Sequence, residues 1–229
     1  MRDKVVFITG AKGGLGSYIT RRFLETGANV VGASRSISQQ DFPGPNFTAL
    51  AVDFTKAVAV NEAVQSVITR FGRLDVLVHL LGGFAGGQTV AETDDATWEQ
   101  MRDLNVTSGF YVLRAAVPHL RKSGKGRIVA VESLTAVEPH PQLGAYITFK
   151  AALAMLVRTV ALENKDAGLT ANVVLPGTMD TPENRRAIPN ADFSKWIQPS
   201  DVVNLVLSLT TERASRVTGA AIPIGGRNV

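Results

Sequence analysis

Tyr146 and Lys150 are the residues of this 229-residue sequence whose types and spacing most directly suggest chemistry. They are four positions apart at the start of a predicted helix, so both side chains lie on one helix face and can contact one substrate. A phenol can donate a proton to an oxygen that is gaining negative charge. A lysine cation about 5 Å away would favour the deprotonated phenol by up to about 3 kcal/mol at an effective dielectric constant of about 20. The pair therefore predicts acid–base chemistry on a small molecule.

A glycine-rich stretch near the N-terminus has the composition of a phosphate-binding loop. The sequence TGAKGGLG occupies residues 9–16, between a β-branched run and an amphipathic helical pattern. Glycines allow a tight turn and a close approach of the backbone to a diphosphate, whose charge meets the free N–H groups at the start of the helix. A tight turn without a ligand is the alternative. The predicted contacts of a dinucleotide are Gly10, Lys12, Gly14, Leu15 and Gly16.

The elements that must position these residues alternate along the whole chain. Short β-branched runs are separated by longer patterns with helical spacing, which is typical of βαβ units and a parallel sheet. Seven strands are predicted, at residues 4–9, 29–34, 47–52, 74–81, 127–131, 170–175 and 220–224. About six helices flank them, and residues 1–229 are expected to form one doubly wound α/β domain. Residues 178–199 hold three prolines among polar residues and are expected to form a lid over the binding site.

The glycine spacing T-G-x-x-x-G-x-G, followed by Tyr146 and Lys150, resembles the short-chain dehydrogenase/reductase family over essentially all 229 residues. The resemblance implies a Rossmann-type fold and hydride transfer between a nicotinamide cofactor and a small carbonyl or imine. It also implies a catalytic tetrad, and its members stand here in the family's order as Asn105, Ser133, Tyr146 and Lys150. In that tetrad Tyr146 is the general acid/base, and Lys150 favours its deprotonated form and holds the nicotinamide ribose. Ser133 hydrogen-bonds the substrate oxygen, and Asn105 orders a water leading to Lys150.

Further cofactor contacts are implied by the same resemblance. Asp53, followed by Phe54, ends the third predicted strand where family members bind adenine, with a helix-capping role as the alternative for Asp53. After the fourth strand the family usually has Asn-Asn-Ala-Gly, whereas this chain has His-Leu-Leu-Gly and retains only Gly82. The turn after the sixth strand looks like the one that contacts the nicotinamide. Its contact residues are Pro176, Gly177, Thr178 and Thr181.

The end of the second strand selects between the two nicotinamide cofactors. An acid there binds the ribose hydroxyls of NAD, whereas a cation is needed for the 2′-phosphate of NADP. Ser34 and Arg35 stand at this point, and the next acid is Asp41. A charge-assisted hydrogen bond from Arg35, assisted by Lys12, would favour NADP by roughly 10- to 150-fold. We therefore expect NADPH, with a surface arginine that binds no ligand as the alternative.

Loop sequences suggest more than one substrate. Residues 82–87, 175–185 and 191–196 resemble the dihydropteridine reductase branch of the family, but Arg35 and Ser133 depart from that branch. Reduction of a quinonoid pterin is thus an alternative to reduction of a ketone, aldehyde or 3-oxoacyl group. A nucleotide-sensing protein without turnover is a third hypothesis. The residues expected to line the substrate pocket are His140, Gln142, Met179, Phe193 and Trp196.

Composition and charge exclude several kinds of site and partner for this protein. The chain has no cysteine, which excludes disulfides, thiolate metal sites and a cysteine nucleophile. Its net charge of +4 comes from scattered basic residues, so no nucleic-acid partner is expected. The three histidines lack metal-ligand spacing, so no metal is expected. No signal peptide or membrane segment is predicted, which favours a cytoplasmic protein. The family resemblance implies a homo-oligomer, either a dimer or a tetramer.

Overall fold

Seven parallel strands form one sheet in the computed structural model, which describes residues 1–225. Their order across the sheet is β3-β2-β1-β4-β5-β6-β7. The strands are β1 Val5–Thr9, β2 Asn29–Ser34, β3 Phe47–Ala51, β4 Val76–His79, β5 Arg127–Val131, β6 Thr170–Pro176 and β7 Ala221–Ile224. Each lies within two residues of its predicted bounds at both ends. The predicted parallel α/β fold is confirmed.

Helices cover both faces of the sheet and bury its apolar residues in two clusters. One face packs against α2, α4 and α5, and the other against α1 and α7. The helices are α1 Gly14–Glu25, α2 Ala57–Phe71, α3 Asp95–Met101, α4 Ser108–Lys122, α5 Gly144–Asn164, α6 Pro182–Ala187 and α7 Pro199–Leu209. About six helices were expected, and residues 1–225 contain seven α-helices, of which the short α6 lies inside the segment predicted as a lid.

The strand order reverses between β1 and β4, which pair side by side. In an open α/β sheet the loops that leave the carboxyl ends of the strands separate at this point and form a crevice. The loop after β1 carries the glycine motif, and the loops after β4 and β5 carry Gly82 and Ser133. The topology therefore directs these loops to one edge of the sheet.

A π-helical segment, Arg102–Thr107, joins α3 to α4 without a break. Such segments insert a wide turn into a helix and are frequent at functional sites. The sequence pattern predicts one continuous helix across this region, and Asn105 lies within it. The wide turn is the local feature that sets the orientation of Asn105.

The segment Gly144–Ala167, which contains α5, has a mean hydropathy of 1.5 and could by length and composition alone cross a membrane. Core helices of globular proteins pass the same test. One side of α5 is buried against the sheet through Phe149, Leu153, Val157 and Ala161. The apolar residues on this side of α5 are therefore explained by their place in the core.

Candidate active site

Lys150, Asn105 and Gly82 meet at the carboxyl edge of the sheet. A Cβ atom built on Gly82 would lie 2.6 Å from Lys150 Nζ and 2.8 Å from Asn105 Oδ1, so a larger residue would displace both side chains. Tyr146 lies one turn before Lys150 on α5, and Lys150 Nζ is 5.9 Å from the centroid of its ring. The structure thus brings together three of the four predicted tetrad residues with the glycine retained after β4.

Asn105 is fully buried and held by the backbone around it. Its Oδ1 accepts a hydrogen bond from Gly83 N at 3.2 Å, and its Nδ2 donates to Gly83 O at 3.2 Å and to Met101 O at 2.9 Å. These bonds tie the π-helical segment to the loop after β4. Asn105 therefore fixes the position of the loop that faces Lys150.

Ser133 follows β5 and caps a short 3₁₀ turn, Leu134–Ala136. Its hydroxyl lies 2.8 Å from the hydroxyl of Thr135 and accepts a hydrogen bond from Thr135 N at 3.3 Å. The side chain is half-buried, so its remaining hydrogen-bonding capacity stays within reach of a ligand.

Glu132 is a residue of this site that sequence reasoning missed. Its carboxylate is buried, and its Oε2 lies 3.2 Å from Lys150 Nζ. Burial raises the pKa of Glu132 to about 7, while the Lys150 cation acts in the opposite direction. Neither carboxylate oxygen has an aligned hydrogen-bond partner in the described part of the chain, so the contact is an ion pair held by charge. The sequence feature that could have identified Glu132 is an acidic residue at the end of a buried strand, directly before Ser133.

His79, the last residue of β4, is a second buried titratable group near Lys150. Its Nδ1 lies 3.0 Å from Thr9 Oγ1, and its Nε2 has no hydrogen-bond partner within residues 1–225. Burial lowers the pKa of His79 to about 3, and the Lys150 cation adds to that effect. The imidazole is therefore neutral at physiological pH.

The glycine loop has the geometry of an anion cradle. Gly10 adopts a positive φ of 72°, which favours glycine. A Cβ atom on Gly16 would collide with the backbone carbonyl of Gly10, so only glycine allows this close approach. Gly13 caps α1 without a side-chain hydrogen bond, and the first turn of α1 holds no acid. The N–H groups at the start of α1 are left open to an anionic ligand.

Lys12 turns towards the end of β2, where the sequence predicts the choice between NAD and NADP. Its Nζ lies 3.0 Å from Asp41 Oδ1 and donates to Ser36 O at 3.0 Å, while its backbone N donates to Ser34 Oγ at 3.2 Å. The pKa of Asp41 is lowered mainly by a backbone hydrogen bond from Ser38 and next by the hydrogen bond from Lys12. Arg35 is exposed beside this group. Sequence reasoning did not foresee that Asp41 would reach Lys12.

Asp53 and Phe54 follow β3. Asp53 Oδ1 accepts hydrogen bonds from Thr55 Oγ1 at 2.7 Å and Thr55 N at 3.0 Å, which lower the pKa of Asp53. The N-terminal cap of α2 is Lys56, so the carboxylate of Asp53 forms a local turn instead of capping that helix. Phe54 is 5% exposed and packs in the core, which leaves mainly its backbone for a ligand.

The turn after β6 leads directly into the predicted lid. Pro176 ends β6, and Gly177 N donates to Ile224 O at 2.9 Å. Thr178 is exposed, whereas Thr181 is buried and caps α6 by accepting from Asn184 N at 3.2 Å. The turn is therefore anchored at both ends while Thr178 stays accessible.

The lid segment is organised by its own contacts. Arg185 forms a bidentate pair with Asp180 and holds the pKa of that carboxyl near 2. Phe193 and Trp196 pack together with ring centroids 4.8 Å apart, and the Arg185 guanidinium lies 4.5 Å from the Phe193 centroid. A bridge between Met179 and Ile197 closes the segment. Three of the predicted substrate residues thus belong to one preorganised surface.

The other two predicted substrate residues lie on a loop beside Tyr146. His140 and Gln142 are exposed, and Gln142 O accepts a hydrogen bond from Gly87 N at 2.9 Å. This bond joins the loop to the one that carries Phe84, whose ring contacts Tyr146 at 5.1 Å between centroids. Phe84 is 70% exposed and was not predicted as a substrate residue. The sequence feature that could have pointed to Phe84 is its position between glycines in the loop after β4.

A surface cavity of about 710 Å³ lies at the opposite edge of the sheet, lined by Arg73, His119 and Lys122 among others. None of the predicted site residues lines it. Binding at the switch point of an open sheet instead favours the carboxyl edge described above. Among residues 1–225 no group of three or more His, Asp or Glu side chains could hold a metal ion.

Sequence comparison places the chain among known proteins. Residues 4–192 match the family described as short chain dehydrogenase. The chain is 31% identical, over 99% of its length and 96% of the relative, to 2,5-dichloro-2,5-cyclohexadiene-1,4-diol dehydrogenase of Sphingobium indicum. It is also 30% identical to 2,3-dihydro-2,3-dihydroxybenzoate dehydrogenase of Escherichia coli, over 97% of this chain and 96% of that one.

Solved structures agree with this assignment. The NADP-bound structure of ElxO superposes with a TM-score of 0.90 at 27% identity and covers 97% of both chains. The NADH complex of 3-ketoacyl-(acyl-carrier-protein) reductase from Brucella melitensis gives a TM-score of 0.88 at 26% identity, over 100% of this chain and 99% of that chain. These likenesses do not confirm the dihydropteridine reductase branch.

Proposed function

This chain belongs to the short-chain dehydrogenase family, and we propose that it uses NADPH to reduce a small carbonyl compound, or NADP⁺ to oxidise the corresponding alcohol, with Tyr146 as general acid/base. That it is an NAD(P)-dependent oxidoreductase follows from the family and from its dehydrogenase relatives. The observation that carries the finer proposal is the convergence of Tyr146, Lys150, Asn105 and Gly82 at one edge of the sheet.

The residues present fit a nicotinamide cofactor. The cradle made by Gly10 and Gly16 admits no side chain, and the open start of α1 can receive a diphosphate. Gly82 keeps the space beside Lys150 free, which suits a ribose held by Lys150. When bound, the cofactor supplies or accepts the hydride. The adenine would lie near Asp53, and the turn at Pro176, Gly177, Thr178 and Thr181 would hold the nicotinamide end.

Each proposed catalytic residue has a defined task. The Tyr146 phenol donates a proton to the substrate oxygen during reduction and removes it during oxidation. The Lys150 cation favours the phenolate that remains. Ser133 donates a hydrogen bond to the substrate oxygen. Asn105 holds the loop after β4 and, as the family resemblance implies, orders a water next to Lys150. A protein that only senses nucleotides has no need of this set of residues, which argues against the non-catalytic hypothesis.

NADPH is the proposed cofactor because cations stand at the end of β2. Arg35 is exposed there, and the Lys12 ammonium lies beside Ser36. No acidic residue occupies the last position of β2, where an acid would bind the ribose hydroxyls of NADH. A 2′-phosphate would compete with Asp41 for Lys12 and would gain charge-assisted hydrogen bonds.

The substrate side favours an apolar cyclic compound. Phe84 exposes its ring next to Tyr146, and the lid presents Met179, Phe193 and Trp196. Two relatives are named for cyclic diol substrates. We therefore propose a secondary alcohol on a small ring, or the corresponding ketone. Pterin reduction remains the alternative from the loop sequences.

The experiment combines cofactor binding with turnover. Calorimetric titration with NADPH and NADH is followed by absorbance at the reduced-nicotinamide band with cyclic ketones, 3-oxoacyl thioesters and a quinonoid dihydropterin. Tyr146→Phe should lower kcat by about 10²- to 10⁴-fold and leave cofactor binding unchanged. Tyr18→Phe on the exposed side of α1 is the matched control and should keep full activity. Full activity of Tyr146→Phe, or failure of both cofactors to bind, would contradict the proposal.

We propose that residues 1–229 form one domain with a lid at residues 178–199. Residues 226–229 of that domain lie outside the part of the chain that the structure describes. We also propose a cytoplasmic homo-oligomer. Exposed apolar side chains on α4 and α5 support association: Phe110, Met155 and Leu162 are 41%, 57% and 71% exposed. Light scattering of the purified protein tests the oligomeric state.

A further inference from the structure

Glu132 and Lys150 form a buried ion pair at the centre of the proposed active site. The Glu132 side chain is fully inaccessible and the Lys150 side chain is 7% exposed, with Nζ and Oε2 separated by 3.2 Å. Leaving two charges in the interior is costly unless each neutralises the other. The pair also joins two elements, because Glu132 directly follows β5 and Lys150 lies on α5. The position of Lys150 Nζ is therefore set from the sheet as well as from its own helix.

The groups that face this pair carry no further charge. From β4, His79 is buried and its lowered pKa keeps it neutral. From the π-helical segment, Asn105 presents an uncharged amide. From α5 itself, Tyr146 lies one turn before Lys150 with its ring 5.9 Å from Nζ. Within residues 1–225, the charge that acts on Glu132 is the Lys150 ammonium. The net charge next to Tyr146 thus depends on the protonation of Glu132.

We propose that Glu132 is a positioning residue for Lys150, and that its carboxylate partly cancels the lysine charge felt by the Tyr146 phenol. With Glu132 ionised, the pair is neutral as a whole and the phenolate gains little from it. With Glu132 protonated, Lys150 is an unopposed cation and the phenolate is favoured. The only bond that forms or breaks in this change is the O–H bond of the Glu132 carboxyl group. The inference rests on the proposed function for the role of Tyr146, but the ion pair and its effect on the phenol can be measured without turnover.

The charge state of this pair changes in the range where the enzyme would work. Because burial raises the pKa of Glu132 to about 7, the carboxylate gains or loses its proton near neutral pH. As pH falls through this range the carboxylate is neutralised and Lys150 becomes an unopposed cation. As pH rises the carboxylate returns and the pair is neutral as a whole.

The test is a phenolate titration of the cofactor-free protein, followed by near-ultraviolet absorbance. The chain has three tyrosines, so subtracting the curve of Tyr146→Phe isolates the titration of Tyr146. The same subtraction is made in a Glu132→Gln background, where shape is kept and charge is removed. We expect the Tyr146 midpoint to fall by about one pH unit in Glu132→Gln, the order expected for one unit charge in a partly buried site. Glu132→Asp retains the charge and should stay near the wild-type midpoint.

The outcomes separate this inference from the proposed function. An unchanged or higher midpoint in Glu132→Gln overturns the inference, whatever the enzyme does with nicotinamide cofactors. A lowered midpoint supports it even if no substrate is turned over. If Glu132→Gln fails to fold, Glu132→Ser supplies a smaller neutral side chain with the same expected direction. In the active enzyme, the acid limb of the pH profile for alcohol oxidation should move to lower pH in the neutral variant, which loss of packing alone would not produce.

Discussion

The ring of Phe84 lies edge-on against the ring of Tyr146, with centroids 5.1 Å apart and an interplanar angle of 70°. This contact places an exposed apolar surface beside the phenol that is proposed to protonate the substrate. Phe84 comes from the loop after β4 and Tyr146 from the first turn of α5, so the contact joins that loop to the start of the helix. It identifies Phe84 as a candidate determinant of substrate specificity.

Phe84→Ala should weaken binding of an apolar substrate, because it removes the ring that a substrate next to Tyr146 would contact. We expect KM to rise by about tenfold, equivalent to about 1.4 kcal/mol, with a smaller change in kcat. Phe84 is 70% exposed, so the free energy of unfolding should change little. Phe84→Leu keeps an apolar side chain and should be milder. Steady-state kinetics provide the measurement, and an unaltered KM in Phe84→Ala would remove Phe84 from the substrate site.

Arg35→Ser should discriminate between the two cofactors. Loss of a charge-assisted hydrogen bond of about 1.5–3 kcal/mol to the 2′-phosphate would weaken NADPH binding by about 10- to 150-fold. NADH has no such phosphate, so its Kd should be unchanged. Arg22→Ser is a matched control, because Arg22 pairs with Glu25 on an exposed part of α1. An equal loss of affinity for NADPH and NADH, measured by calorimetry, would show that Arg35 does not bind the 2′-phosphate.

Asp41→Asn should act in the opposite direction. The Asp41 carboxylate holds Lys12 Nζ at 3.0 Å, and the pair is partly exposed, with Lys12 at 43% and Asp41 at 23%. Removing the charge frees Lys12 for the 2′-phosphate without a large effect on stability, since exposed pairs contribute about 0.2–1 kcal/mol. NADPH binding should tighten by up to about fivefold, while NADH binding stays the same. Weaker NADPH binding in this variant would exclude Lys12 as a phosphate ligand.

Gly16→Ala should distort the glycine loop after β1, which is proposed to bind the cofactor diphosphate. A Cβ atom at this position would meet the carbonyl carbon and oxygen of Gly10 and the backbone of Ala11, and backbone atoms cannot rotate away as a side chain can. Overpacking of this kind costs about 1–3 kcal/mol. At Gly13 a Cβ atom would lie 3.2 Å from Gly10 O, so Gly13→Ala should be milder. Urea unfolding and NADPH titration of both variants test this order, and equal stability of Gly16→Ala and wild type would contradict it.

His79 should give the protein a defined pH dependence of stability. Its pKa is lowered from 6.5 to about 3 by burial, so between these values the unfolded chain binds a proton that the native state does not. The contribution of His79 to the free energy of unfolding is present above pH 6.5 and is lost as pH falls towards 3. Glu132 acts with the opposite sign, because its raised pKa makes the native state bind the proton between 4.5 and about 7.

The difference in free energy of unfolding between wild type and His79→Asn separates the contribution of His79 from that of Glu132. Asn retains a polar partner for Thr9 but does not titrate. The free energy of unfolding of wild type, relative to the variant, should decrease as pH is lowered from 7 to 4.5. Urea titrations at a series of pH values measure this slope. A constant difference would mean that His79 takes up a proton in the native state as readily as in the unfolded chain.

Local patterns predicted the sheet with small errors at the strand ends. The β2 and β5 strands have the predicted bounds, 29–34 and 127–131, because buried parallel strands are short β-branched runs bounded by turn residues. The β4 strand is shorter than predicted, Val76–His79 instead of 74–81. Leu74, Leu80 and Leu81 are apolar because they are buried or half-buried beside the strand, and hydrophobicity alone does not distinguish this from pairing.

The sequence by itself determined the order of elements, the family and the glycine motif after β1, because these depend on periodicity and on motifs of neighbouring residues. Only the tertiary structure decided that Glu132 pairs with Lys150, that Phe84 contacts Tyr146 and that Asp41 holds Lys12. Each of these contacts joins two segments through the packing of a helix or loop on the sheet. Their distances are set by that packing, and no spacing along the chain encodes them.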